Sequence, residues 1–376
     1  ASAAAITVNN TDGTCTANIT NNLSNRNKII NGAMTVSQRH GTSSISQTTS
    51  SQYLLDRFTS AIGSSCNLDT TISQSTDTPS GFRNSLKIEA DSVVTPSGSQ
   101  NAMITQKFEG KDLQDFGFGT SDAKPITISW YAKTNATAAG NYTVKADFVS
   151  AADGEHQSQY KLFAFTTSWT RFTYTLPATG TCLTEAIRDS TSTDFVVEFN
   201  LMCGPDDLTS EVTTWTANTG GTYQSVTGQK NFCDNASNEL YITGVQLEVG
   251  SVATDFEHRS FGQELALCQR YCYADRGSDD YHAVAQGHFN GTTTAIAMLY
   301  LPVCMRAAPT LSYPTGTWIF SGDFGTAAQS NIYPTDNIGE VNAIQIRGTV
   351  SGGQSGEGFL LRTSSAGHSW ILSAEL

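Results

Sequence analysis

Acid-base chemistry in this chain would have to come from a few polar turns. Asp153 and Glu155 in AADGEH, and Asp279 and Asp280 in GSDDYH, are close carboxylate pairs, the groups a glycosidase uses as acid and as base or nucleophile. Both pairs stand among turn-forming residues with no apolar periodicity to bury them. They read as solvated turns, and no residue is assigned as catalytic. No GxSxG, HExxH, Walker A or GxGxxG motif occurs. His282 and His288 are an even number of residues apart, so on one strand they would face the same way, and around a threefold axis they could ring a metal. With no HxH or adjacent carboxylate pattern, they read instead as surface or interface histidines. The oxygen-rich DNASNE segment (Asp234 to Glu239) could seat a structural calcium, but it lacks the spacing and glycine of an EF-hand and reads as an Asx turn. No cofactor or metal is therefore expected.

Composition narrows the partners. Only 15% of the 376 residues are charged, against about 25% in an average protein, and 38% are hydrophobic, enough to fill real cores. Abundant Ser, Thr, Asn and Gly suit strands and tight turns. The formal net charge of -13 repels phosphate backbones and anionic bilayers, so neither nucleic acid nor membrane is an expected partner. No run of eighteen apolar residues exists to span a bilayer. The opening ASAAAITV lacks the basic region of an intact signal peptide. The cysteines show no CxxC and no zinc spacing, and their wide spread is no disulfide framework. Cys268 and Cys272, one helical turn apart, read as small core hydrophobes.

The element around which the chain is organised runs from Glu239 to Tyr273. Val245, Leu247 and Val249 alternate with Gln246 and Glu248, the pattern of a half-buried strand, and Gly250 ends it. Phe261, Leu265, Cys268 and Cys272 then share one stripe of a helix of about three to four turns over 260–273, widened by Leu267 and Tyr271. That is more apolar surface than one small domain needs, so these six residues are the expected contact between three copies. Upstream, inward rows follow one another: Leu86, Ile88, Ala90; Ile126, Ile128, Trp130, Ala132; Tyr142, Val144, Ala146, Phe148; Phe172, Tyr174, Leu176; Phe195, Val197, Phe199, Leu201. Strands of this kind joined by Gly, Ser and Asn turns predict an antiparallel two-sheet sandwich.

Beyond the helix a smaller β unit is predicted. Asn290-Gly291 marks a hairpin with a two-residue turn. Strands are expected at 299–305, 317–320, 341–350, 358–362 and 370–376, with a long polar loop over 321–340. Aromatic and polar side chains coincide on its loops, which makes Tyr281, His282, His288 and Tyr333 the expected receptor-binding residues. Trp318 and Trp370 lie in strand-like runs and read as core.

Several segments together, in order, resemble one family. NKIINGAMTVSQRHG (27–41), YLLDRF (53–58), ITISWYAKT (126–134), SWTRFTYTLP (168–177), GVQLEVG with FEHRSFGQELALCQRY, LPVCMRAAPTLSY (301–313) and the terminal WILSAEL are similar to bacteriophage tail fibre and virion appendage proteins, notably of phages of marine bacteria. The likeness covers residue 25 to the end, with Phe58 standing where the family more often has Trp. It implies a jelly-roll module similar to carbohydrate-binding modules, a place on the phage particle after assembly in the bacterial cytoplasm, reduced thiols, and host-surface glycan as the partner. The chain then divides into an arm (1–26) that contacts other virion proteins, a jelly-roll sandwich (27–257), a linking helix (258–273) and a C-terminal β knob (274–376), assembled as a homotrimer. Two other readings stay open: a capsid fibre or decoration protein, and a polysaccharide-degrading tailspike.

Overall fold

The computed structural model describes residues 6–8, 15–17, 25–48, 51–63, 66, 68–218, 224–276, 282–312, 318–322, 325–329, 332–335, 341–350, 353–363 and 369–376. The fold is all-β: an antiparallel jelly-roll sandwich, one short helix, and a smaller C-terminal β unit. Within the arm, Ile6–Val8 pairs with Cys15–Ala17.

The sandwich packs a seven-stranded sheet on a six-stranded one. The first has the spatial order 212–218, 156–165, 140–149, 193–203, 101–109, 59–63, 52–53, and the second 170–176, 126–134, 239–249, 85–90, 70–75, 45–47. The inward rows read from the sequence line the space between them. Trp130, Phe148, Phe195, Ile128 and Leu201 are fully buried, with Phe172 packed against that core from a partly exposed position. Period-two alternation sorts these residues because successive side chains of a strand point to opposite faces.

The central strand departs from expectation. Glu239–Val249 is buried along nearly its whole length on both faces, Gln246 and Glu248 included. An irregular wrap over 25–41 and the segment 250–259 cover its polar side and satisfy it. Lys28 N–H donates to Leu247 O at 2.8 Å, Val245 N–H to Gly32 O at 3.0 Å, and Gln246 Nε2 to Glu248 Oε1 at 2.8 Å. Gly32 is dictated by this approach, since a Cβ there would lie 2.1 Å from the Val245 carbonyl oxygen. The wrap and the segment before the helix hold each other. Glu257 accepts from the Asn25 and Asn27 backbone N–H groups at 2.6 and 2.8 Å, and Arg259 donates to Ile29 O at 2.9 Å and to Asn27 O.

The helix is shorter than its apolar spacing predicts, Phe261–Gln269, opened by a Ser260–Gln263 capping box. Cys272 already belongs to the strand Cys272–Arg276. Its buried face is Glu264 and Cys268, and Phe261 is 60% exposed. Glu264 can be buried because Oε1 accepts from Asn31 N–H at 2.5 Å and Arg259 at 3.3 Å. Cys268, Tyr271 and Cys272 lie wholly inside the single chain and have no surface to offer a partner, which corrects their assignment to a threefold contact. Tyr271 O–H donates to Glu109 Oε1 at 2.7 Å, and Arg270 grips the same carboxylate with two bonds at 3.0 and 2.8 Å. These bonds spend the end of the expected helix on the sandwich.

The C-terminal unit has its own core, with Phe289, Phe320, Phe359, Ile346, Trp370 and Leu372 at its centre. Its main sheet runs 325–329, 318–322, 358–363, 283–290, 294–305, 341–349, 332–335, and 272–276, 369–373 and 310–312 form a smaller one. Trp370 is core, as read from the sequence; Trp318 lies in a strand. Two expectations are revised. The span 321–340 is no plain loop, because Gly325–Gln329 and Ile332–Thr335 extend both edges of the sheet. The hairpin turn has three residues, not two, since Asn290 pairs with Thr294 and only Gly291 takes positive φ.

A buried polar clasp joins the C-terminal residues to the sandwich. Arg57, at a left-handed φ of 72°, ion-pairs with Glu375, donates to Lys107 O at 2.5 Å, and lays its guanidinium 3.5 Å over the Tyr271 ring. Arg39 reaches the same carboxylate at 3.2 Å. Tyr53 O–H and Lys107 Nζ donate to Leu376 O at 2.8 and 3.1 Å, and Arg306 to Glu375 O at 2.8 Å. The QRHG and YLLDRF segments are thus the socket for the SAEL segment.

Candidate functional site

The outer face of the C-terminal sheet carries an open groove of ≈ 650 Å³, lined among others by Val284, Gln286, His288, Met298, Tyr300 and Leu360. Strand pairing explains the lining. Gln286 stands opposite both Met298 and Leu360, and His288 opposite Ile296 and Gly358, so two rows cross three strands on one face. The opposite face of the same strands sends Ala285, Phe289, Ala295, Ala297 and Leu299 into the core. Gly287 is needed here, because a Cβ would meet Ile296 O at 2.1 Å and the Phe359 ring at 2.6 Å.

Tyr300 is the groove's largest exposed apolar group, with 75% of its surface open. Ile296, Met298 and Leu360 are half-buried and form an apolar floor, while Gln286 and His288 are exposed beside it. Such a mixture can stack on a flat apolar ligand face and hydrogen-bond its rim.

Of the receptor-binding residues read from the sequence, the structure brings His288 into this groove. His282 is half-buried just before the first strand, with Nε2 3.2 Å from Asp275 Oδ2, and does not line it. Tyr333 lies on the edge strand, opposite Arg347 in register. Tyr281 lies outside the described residues. His282 and His288 therefore do not act as a pair, and among the described residues no cluster of His, Cys, Asp or Glu has metal-binding geometry. Sequence reading missed Tyr300, Met298 and Ile296, although TTTAIAMLYL shows the signal: both phases of its alternation are apolar, more than one buried face requires.

Asp153 is exposed in a turn and accepts from Glu155 N–H at 2.9 Å, a bond that holds its carboxyl below the usual range. Asp279 and Asp280 lie outside the described residues. In DNASNE, Asn235 Oδ1 accepts from Ser237 N–H at 2.9 Å, an Asx turn. Of the residues proposed for a threefold contact, Phe261 is exposed, Leu265 and Leu267 are half-buried, and Leu267 borders a second groove of ≈ 530 Å³ with Asn25, His258 and Gln263.

No family model matches this chain, and no curated protein matches it. Solved structures similar to it include the CBM22-1 xylan-binding domain of Paenibacillus barcinonensis Xyn10C, at 10% identity over 57% of this chain and 99% of that one, TM-score 0.28. The family 11 carbohydrate-binding module of the Clostridium thermocellum cellulase Lic26A-Cel5E matches at 10% identity, 56% and 99% coverage, TM-score 0.28. The enzymatically active domain of tailspike protein 4 of bacteriophage CBA120 matches at 11% identity over 59% of this chain and 21% of that one, TM-score 0.28. No residue role passes from them to this chain.

Proposed function

We propose that this chain is a structural fibre or spike protein of a bacteriophage particle, a homotrimer whose C-terminal sheet binds a host-surface glycan during adsorption. The observation that carries the binding role is Tyr300, 75% exposed above an apolar floor with Gln286 and His288 beside it. Aromatic faces stack on the C–H faces of sugar rings, and amide and imidazole groups read hydroxyls at the rim. A weak site repeated around a threefold axis holds a cell by avidity. The virion setting is supported by the ordered likeness of segments from Asn27 to Leu376.

Replacing Tyr300 by Ala is expected to weaken adsorption of the purified protein to host cells about tenfold per site, the loss of about 1.4 kcal/mol of ring contact. Unchanged adsorption with an intact melting profile would move the reading to a capsid fibre or decoration protein. Release of reducing sugar from host polysaccharide by the pure protein would move it to a tailspike enzyme.

The assembly is tested separately. Light scattering at micromolar concentration is expected to give three times the 40.2 kDa chain mass, with Phe261 and Leu267 at the contact. A clean monomer removes the trimer.

A further inference from the structure

Gln286 stands at the most apolar part of the groove. It is opposite Met298 on one neighbouring strand and Leu360 on the other, and Val284 lies two residues away on the same face. Its side-chain amide is exposed, while Met298, Leu360 and Val284 are half-buried around it. Among the described lining residues it carries the one amide, and none of them is Asp, Glu, Lys or Arg. Tyr300 follows Met298 by two residues, so it is the diagonal neighbour of Gln286, a step of about 7–8 Å.

A sugar ring stacked on Tyr300 therefore directs a substituent over Gln286 and the aliphatic side chains beside it. A bare hydroxyl placed there gives up water against Met298 and Leu360 with few partners to replace it. An acetamido group suits both parts of the surface. Its methyl covers Met298 and Leu360, and its N–H and C=O match the amide of Gln286, which accepts through Oε1 and donates through Nε2. A charged substituent would lose hydration here with no counter-ion among the lining residues.

We propose that the groove takes a neutral N-acetylated amino sugar, with its ring on Tyr300 and its acetamido group on Gln286. This rests on the glycan-binding role given above and adds the substituent that the groove selects. The groove's ≈ 650 Å³ falls within the roughly 300–1,000 Å³ of small-ligand clefts.

The test titrates the full chain with triacetylchitotriose and with cellotriose, which share one β-linked backbone and differ at the acetamido groups. Triacetylchitotriose is expected to bind at least about tenfold more tightly, because a site that hydrogen-bonds a group rejects the analogue lacking it. Gln286→Leu is expected to bring it down to the level of cellotriose, and Gln286→Glu, which keeps the acceptor and loses the donor, to fall between. Equal binding of the two probes, lost in Tyr300→Ala, overturns the acetamido class and leaves glycan binding standing. A preference for triacetylchitotriose that survives Gln286→Leu overturns the assignment to Gln286. Binding of neither probe also overturns the acetamido class; the glycan reading then stands if Tyr300→Ala still lowers adsorption to host cells, and falls with it if adsorption is unchanged.

Discussion

Replacing Glu375 by Ala is expected to destabilise the folded chain by about 3–5 kcal/mol, because it strands two buried cations. Arg57 and Arg39 meet on this carboxylate, with side chains only 2% and 9% exposed, and Glu375 itself is 4% exposed. The Coulomb attraction of such a group is largely offset by the desolvation of its members, so removing one partner exposes the full penalty of the others. The same logic predicts that Arg57→Met with Glu375→Leu destabilises far less than the sum of the single changes. Denaturant unfolding of the four proteins checks this. Additive losses would mean that the clasp is not the unit described. The clasp also bears on the division at residue 273: a fragment ending there keeps Arg57 but loses Glu375, and is expected to be less stable than the sandwich within the whole chain.

The second large effect is expected at Trp130. Its indole is fully buried and touches Phe163, Phe165, Phe172 and Phe199 at centroid distances of 4.9 to 6.5 Å. Its strand pairs with 170–176 on one side and 239–249 on the other. Truncation to Ala is expected to cost about 3–5 kcal/mol, since pinned neighbours cannot collapse into the space. Trp130→Phe is expected to cost much less, because Trp130 Nε1 is buried with no hydrogen-bond partner among the described residues and its removal relieves an unmet donor. A Phe variant as damaged as the Ala variant would contradict this account of the site.

How legible was this in the residue string? Strand rows such as Ile126 to Ala132 were plain, because a two-residue period survives any tertiary arrangement. The polar face of 239–249 was misleading: Gln246 and Glu248 look solvated until a wrap more than two hundred positions away covers them. The helix end was misread for a related reason. Tyr271 and Cys272 continue the apolar spacing, but they pack under Arg57 and into a strand, and spacing does not state which neighbour a stripe meets. Arg57 and Glu375 are 318 residues apart, and no local pattern joins them. Tyr300 was hidden by the opposite ambiguity, a strand apolar in both phases, where either face could be the core.

The wrap also sets an order of events. Asn31 bonds to Glu264 across 233 residues, Arg57 to Glu375 across 318 and Arg39 to Glu375 across 336. Hairpins such as 140–149 with 156–165 close locally and early, whereas contacts of this span must wait until long loops have been closed by something else. During synthesis, at about 5–20 residues per second, the Arg57 socket stands empty for some tens of seconds before residue 375 exists. The N-terminal wrap is therefore the first part of the sandwich to be made and the last to lock. Its polar residues Asn27, Asn31, Gln38 and Arg39, with Asp56 and Arg57 in the segment that follows, keep this part of the chain hydrated rather than sticky through that delay.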